Sequence, residues 1–321
     1  MKAIVFTKYG PTDVLQLKDV EIPAPEDNEV LIKVHAASVN DWDWGLMRGE
    51  PFVIRLLFGL QKPKVNIPGV DVAGQVEAIG KKVKKFQPGD EVFGDMSECG
   101  FGSFAEYVCA DENSLVKKPV SMTFEEAAAI PHAAMLTVQG LIDKGHIRSG
   151  QKLLINGAGG GVGTFGIQIA KLFGVEVTGV DSSGKLDMLK SMGFDHVIDY
   201  KQKDFTRDRM HYDLILDVKT NRPIFRYARS LKRNGRYVTV GGSMARIFQA
   251  IVLGPWISLF NKKHICVLGL KPNKDLAYIN ELFEAGKVKP VIDGPYKLSE
   301  VPEVIQYFGE GKHKGKIVIS I

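Results

Sequence analysis

The 321-residue chain is long enough for two cores of ordinary size, and 45% hydrophobic with 25% charged residues is the balance of a soluble globular protein. Its 42 basic and 37 acidic residues leave a net charge of +5, too mild to single out a nucleic-acid partner. Three cysteines without a Cys-x-x-Cys pair exclude a disulfide framework and lead us to expect a reducing, cytoplasmic setting.

The N-terminal run Met1–Phe6 reads as an opening strand and has no secretory h-region. Residues 1–122 carry short β-like runs such as Val30–Ala36 and Val70–Ile79, separated by Pro23, Pro25, Pro68, Pro88 and Gly89. This pattern predicts an antiparallel β domain. The texture changes at Thr123, which stands three residues before Glu126 in the spacing of a capping box, so a helix is expected over Thr123–Ala129. From there to residue 270 the chain alternates. Strands are expected at Leu153–Asn156, Val175–Val180, His196–Ile198, Leu214–Val218, Tyr237–Gly241 and Ile265–Gly269, with helices such as Phe165–Phe173 and Lys185–Met192 between them. Six strands with helical crossovers predict a doubly wound parallel sheet. After Pro272 come a short helix, Ala277–Ala285, and a closing strand, Lys316–Ile321, expected to return to the first domain's sheet.

The fold class is therefore α/β, with domains at 1–122 and 123–270 and a return segment, 271–321, completing the first. Basic clusters at Lys81–Lys85, Arg229–Arg236 and Lys312–Lys316 read as solvated faces. Two stretches, Phe52–Leu60 and Ile247–Phe260, carry more apolar surface than loops need. They read as walls of a ligand pocket or as packing surface. The second is too short to span a bilayer, and no membrane partner is expected.

The most informative stretch is Lys152–Gly163, an apolar strand running into Gly157-Ala158-Gly159-Gly160-Gly161-Val162-Gly163 and then into a helix. Strand, glycine turn and helix N-terminus together make a phosphate cradle. Gly157 can take the tight turn, Gly160 lets backbone approach a pyrophosphate, and Gly163 lets the helix pack against the strand. The spacing is Gly-x-x-Gly-x-x-Gly. Gly161 and Val162 fall in the same turn.

With Pro68-Gly69-Val70-Asp71-Val72-Ala73-Gly74, Pro88-Gly89-Asp90-Glu91-Val92-Phe93-Gly94 and the closing Gly315-Lys316-Ile317-Val318, this motif resembles the medium-chain dehydrogenase/reductases over essentially the whole chain. Within them it is similar to the zinc-independent quinone oxidoreductase branch. The resemblance implies a GroES-like catalytic domain, a Rossmann domain binding a nicotinamide dinucleotide, and a homodimer. The apolar edge at Ile265–Gly269 is a candidate pairing strand. Where a zinc enzyme of the family would show Gly-His-Glu, this chain has Gly69-Val70-Asp71, and Val39–Asp43 contains no cysteine. No zinc is expected. Without a Lewis acid, a readily reduced acceptor, a quinone or an α,β-unsaturated carbonyl, suits the site better than an alcohol.

Cofactor choice is contested at the end of the second Rossmann strand. Asp181 lies where an acid holds the adenosine ribose of NAD(H), whereas Ser182 and Lys185 could meet a 2′-phosphate. The resemblance adds Tyr200 to the phosphate side, and NADP(H) is the preferred expectation with NAD(H) open. It also places Asn40 by the nicotinamide as a donor to substrate oxygen or ribose, with Asp43 orienting its neighbours; their plain alternative is turn and helix-cap chemistry. Thr137 is implied near the carboxamide end, Gly241 and Gly242 at the end of the fifth strand, Leu270 beside the nicotinamide, and Lys316 on the cofactor phosphates. Two other functions fit the same frame: an NAD(P)-dependent alcohol dehydrogenase, or a non-catalytic NADPH-binding sensor or RNA-binding protein.

Overall fold

The computed structural model describes residues 1–207 and 211–321, which form two compact units. One comprises Met1–His132, Pro272–Ala285 and Pro290–Ile321; the other comprises Ala133–Lys271 with Gly286–Lys289. In chain order the first unit contributes strands β1 (Lys2–Val5), β2 (Gln16–Asp19) and β3 (Glu29–Ser38), then helices α1 (Asp41–Arg48) and α2 (Phe52–Phe58). Strands β4 (Asp71–Ile79), β5 (Glu91–Asp95), β6 (Tyr107–Asp111) and β7 (Val116–Lys117) and helix α3 (Phe124–Ala128) follow. Helix α4 (Pro131–Val138) leads into β8 (Lys152–Asn156), α5 (Gly161–Leu172), β9 (Glu176–Asp181), α6 (Leu186–Ser191) and β10 (His196–Asp199). The second unit continues through β11 (Tyr212–Asp217), α7 (Ile224–Ser230), β12 (Leu231–Thr239), α8 (Met244–Asn261) and β13 (His264–Val267). The chain closes with α9 (Leu276–Glu284), β14 (Ile292–Lys297), α10 (Val301–Gly309) and β15 (Lys316–Ser320).

In the first unit a mostly antiparallel sheet runs β14-β15-β3-β4-β5-β7, with β6 also on β3. The closing strand β15 pairs antiparallel with β3, Val318 opposite Ser38, which is the return expected from the sequence. One core packs Ile4, Phe6, Leu46, Met47, Ile317 and Ile319 together; another joins Ile32, Val34, Val72 and Val92 across β3, β4 and β5. Burying side chains of this size stabilises by roughly 1.5–3 kcal/mol each.

The second unit is a six-stranded, wholly parallel sheet in the order β10-β9-β8-β11-β12-β13. All six strands expected from the sequence are present. The order reverses between β8 and β11, and in open parallel sheets that switch point is where ligands bind.

The unit boundary differs from the expected one: it falls after His132, not after residue 122. The capping box does form, with Glu126 N–H donating to Thr123 Oγ1 at 3.1 Å and Thr123 N–H to Glu126 at 3.0 Å. The helix it starts, however, lies on β3 and β4, and Phe124 stacks on His35 at 4.3 Å. A helix signal alone does not say which sheet the helix will cover. The return segment is interrupted as well, because Gln168 pins Lys289 to the second unit through two backbone hydrogen bonds of 2.8 and 2.9 Å.

Candidate functional site

In the second unit β8 ends in the glycine turn. Gly157 has φ +85°, a left-handed conformation that glycine takes freely. The N–H groups of Gly157 and Ala158 donate to Val180 O of β9 at 3.0 and 3.1 Å. Gly160 is the N-cap of α5, no side chain caps it, and Gly161 and Val162 open the helix. That end offers N–H groups and the positive end of the dipole to an anion. A Cβ on Gly163 would stand 2.3 Å from Ala158 O and 2.4 Å from its Cα, so the helix approaches the turn as closely as a glycine allows.

Gly159, which the three-glycine reading passes over, is equally constrained. A Cβ there would lie 2.5 Å from Lys185 Cδ and 3.1 Å from Asp181 Oδ2. Its N–H donates to Asp181 Oδ2 at 2.8 Å, and Ser182 N–H donates to Oδ1 at 2.8 Å. Lys185 Nζ stands 3.7 Å from the same carboxylate. Tyr200 N–H donates to the Asp181 carbonyl at 3.2 Å, and its ring is exposed. The structure thus brings Asp181, Ser182, Lys185 and Tyr200 together and turns Asp181 toward the glycine loop.

At the switch point Asn156 Nδ2 donates to Asp217 Oδ1 at 2.7 Å, and Tyr237 OH donates to Asp217 Oδ2 at 2.7 Å. Burial raises the Asp217 carboxyl against these donors. Gly241 lies beyond the end of β12, and its carbonyl accepts from Thr220 N–H at 3.2 Å and Thr239 Oγ1 at 3.1 Å. Gly242 has φ +114°, and a Cβ there would sit 2.3 Å from Thr220 N. Thr137 is buried, its hydroxyl 2.9 Å from both Ala133 O and Val162 O, where it fastens α4 to the first turn of α5. Leu270 does not end a strand: β13 stops at Val267, and the next residue, Lys271, is locked to the Gln139 amide at 2.8 and 3.0 Å.

The first unit holds a buried cluster centred on Asp71. Its Oδ2 accepts from Ser38 Oγ at 2.7 Å and Asn40 Nδ2 at 3.0 Å, and lies 3.0 Å from Lys316 Nζ. Its Oδ1 accepts from His132 N–H at 3.0 Å. Lys316 Nζ also donates to Asn40 Oδ1. Asn40 Nδ2 has a second acceptor in Ser38 O at 3.3 Å, so both amide hydrogens are committed. Asn40 as a ready donor to a ligand is therefore corrected: in this cluster it is already bonded on all sides.

Asp43 accepts from Asn40 N–H and Gly69 N–H, each at 2.8 Å, clamping the start of α1 to the segment before β4. Complete burial pushes its carboxyl up to about 7, outweighing the two N–H donors and the Lys316 charge. His132 Nδ1 lies 2.7 Å from Asp95 Oδ2. Burial alone would lower the imidazole's pKa, but the Asp95 hydrogen bond and charge raise it, and the same pairing lowers that of Asp95. The sequence reading missed Asp71 as a hub, Asp95 and His132 altogether. Their only sequence signal is the polar residue following Gly69-Val70. Lys316 is buried in this cluster, which is not the open setting that a cofactor-phosphate role suggested.

Two family models match the chain. One is the alcohol dehydrogenase GroES-like domain, over residues 26–120, and the other is the zinc-binding dehydrogenase model, over 192–319. The chain is 34% identical to the 2-methylene-furan-3-one reductase of Solanum lycopersicum, covering 99% of this chain and 79% of that protein. It is 33% identical to a chloroplastic quinone-oxidoreductase homolog of Spinacia oleracea, over 100% and 98% of the two chains. The quinone oxidoreductase of Coxiella burnetii superposes with a TM-score of 0.90 at 29% identity, over 100% and 99%. The chain belongs to the medium-chain dehydrogenase/reductase superfamily, in its quinone-oxidoreductase-like branch, and is an oxidoreductase.

Among the described residues no group of three or more His, Cys, Asp or Glu could hold a metal ion. At Asp71 the carboxylate is taken up by four donors, one of them an ammonium.

Two stability measurements follow from this geometry. Replacing Asp43 by Ala leaves two buried N–H groups without an acceptor and should lower stability by about 2–4 kcal/mol at pH 5. The folded-state pKa is raised, so this group's contribution is present at low pH and is lost as pH climbs from about 4 to about 7. Denaturant titrations should show the variant's deficit shrinking over that window; a growing deficit would contradict the assignment. Gly163→Ala should cost about 1–3 kcal/mol through displacement of the turn, and an unchanged melting temperature would count against the close approach.

Proposed function

We propose that the protein is an NADPH-dependent, zinc-free reductase that delivers hydride to a quinone or an α,β-unsaturated carbonyl. The observation that carries this reading is the buried Lys316 ammonium on Asp71 and Asn40, in the stretch where zinc enzymes of the family place metal ligands. Two relatives, a quinone-oxidoreductase homolog and a 2-methylene-furan-3-one reductase, support these two acceptor classes. The free edge of β13 supports the expected homodimer.

A nicotinamide dinucleotide suits the glycine turn, whose tight course, fixed by Gly157 at φ +85° and by the close approach of Gly163 to Ala158, ends in the uncapped N-terminus of α5. When bound, it supplies the hydride. The chain's own residues do the rest. The first turn of α5, at Gly161 and Val162, would hold the pyrophosphate by its N–H groups. Ser182, Lys185 and Tyr200 would hold the 2′-phosphate, and Gly241 would present backbone at the end of its strand. Asp181 spends its oxygens on Gly159 and Ser182, and Lys185 offsets its charge, so it is poorly placed to repel that phosphate.

Asp43 positions Asn40, and Asn40 positions Lys316. Two of the three Lys316 ammonium hydrogens are committed within the cluster, to Asp71 and Asn40.

Cofactor titrations test the cofactor assignment. Lys185→Ala should weaken NADPH binding about tenfold while NADH changes by less than about twofold. Asp181→Ala should weaken both cofactors together, because it releases the glycine turn; a switch toward NADPH would instead make Asp181 the selector of NAD. Denaturant titrations test the cluster. Lys316→Met leaves the buried Asp71 carboxylate without its counter-charge and should lower stability by about 3–5 kcal/mol. An unchanged unfolding midpoint would contradict the part given to this pair.

A further inference from the structure

Helix α8 is apolar on the side that faces away from its sheet as well as on the side that packs against it. Ala250, Gly254 and Ile257 are buried, and a Cβ on Gly254 would meet Ile265 of β13 at 3.0 Å, which fixes the inward side. On the outer side Phe248, Val252, Trp256 and Leu259 recur at helical spacing with Ile251 and Phe260 beside them. Trp256, Leu259 and Phe260 are 62%, 73% and 72% exposed. Phe225, on the adjoining α7, is exposed too. Soluble proteins do not leave a continuous stripe of this kind uncovered without a partner.

Charge identifies the partner. Between Val218 and Lys274 there are twelve Lys and Arg residues and no Asp or Glu. Some are neutralised from outside the segment: Arg222 and Arg226 pair with Asp204, and Lys232 pairs with Asp213. Arg229 and Arg233 are exposed, and their chain neighbours Ala228 and Asn234 hydrogen-bond Lys263 and Lys262 at the C-terminal end of α8; among the described residues neither arginine nor Lys262 makes an ion pair. A second copy on a two-fold axis would set this predominantly basic segment against itself, bringing the unpaired cations together. Pairing through the β13 edge would extend the sheet in its own plane and leave the outer stripe of α8 open. An anionic lipid surface satisfies both features, apolar side chains entering the acyl boundary and cations meeting headgroups.

We propose that α8 seats this protein peripherally on anionic membranes, lying in the interface plane. No helix among the described residues is long and apolar enough to cross a bilayer, so the expectation that the apolar stretch does not span stands apart from whether it docks. The exposed stripe revises the further expectation of no membrane partner. The proposal does not depend on the reductase reading, since its test requires neither cofactor nor turnover.

The test is co-flotation of the full chain with vesicles of phosphatidylcholine alone or mixed equally with phosphatidylglycerol, at low and high salt. We expect binding to the anionic vesicles at least tenfold tighter than to the neutral ones, and weakened by salt. The double variant Trp256→Glu, Leu259→Glu and the triple variant Arg229→Glu, Arg233→Glu, Lys262→Glu should each lose at least tenfold. Every changed side chain is exposed, and thermal unfolding checks that both variants fold. Should the first fail to fold, the triple variant decides. Absence of flotation, equal binding by the variants, or no preference for anionic lipid would overturn the proposal. So would self-association abolished by Trp256→Glu without vesicle binding, which would make the stripe a contact between copies.

Discussion

The contact on which the first unit depends is the buried pair between Lys316 and Asp71. It joins the start of the last strand to the start of β4, 245 positions apart in the chain, through β3 between them. Two charges removed from water are stable only when their remaining donors and acceptors are also satisfied. That requirement explains the company they keep. Ser38, Asn40 and the His132 N–H complete Asp71, and Asn40 completes a second bond from the ammonium. Losing either partner would leave a buried charge uncompensated, so packing, register and chemistry of this region are tied to one interaction.

The second unit solves a related problem with backbone. A glycine turn that exposes N–H groups to an anion must hold its shape when the anion is absent. Asp181 does this by accepting the Gly159 N–H, while Gly157 and Ala158 are bonded to β9. A carboxylate built into the cradle then needs a counter-charge, and Lys185 stands beside it. The acid that a sequence reader takes for a ribose ligand is, in the fold, part of the loop's own support.

What was legible from residues alone followed from periodicity and punctuation. Apolar runs such as Leu153–Asn156 and Leu214–Val218 are short, β-branched or aliphatic and bounded by turn residues, so the parallel sheet could be read off, as could the homing of β15. The Thr123–Glu126 cap was also legible, yet the ownership of its helix was not, because a cap describes a local start and says nothing of the sheet beneath. The Asp71 cluster escaped for a similar reason. Ser38, Asp71, Asp95, His132 and Lys316 are scattered over most of the chain, and only strand pairing brings them together. Asn40 lies in the Asp71 cluster, and its hydrogen bonds depend on neighbours that spacing cannot reveal. For α8, composition announced an apolar helix; which side lay open required the sheet.

The central claim, hydride delivery by a zinc-free site to a quinone or enone, is tested most directly by isotope transfer. The protein would be given NADPH deuterated at its transferable position together with an enone, with a chelator present and absent, and the product analysed by mass spectrometry. The account predicts one deuterium at the β-carbon of the saturated product, with a rate indifferent to the chelator. Stoichiometric NADPH binding without deuterium transfer across quinones and enones, or turnover abolished by the chelator, would contradict it.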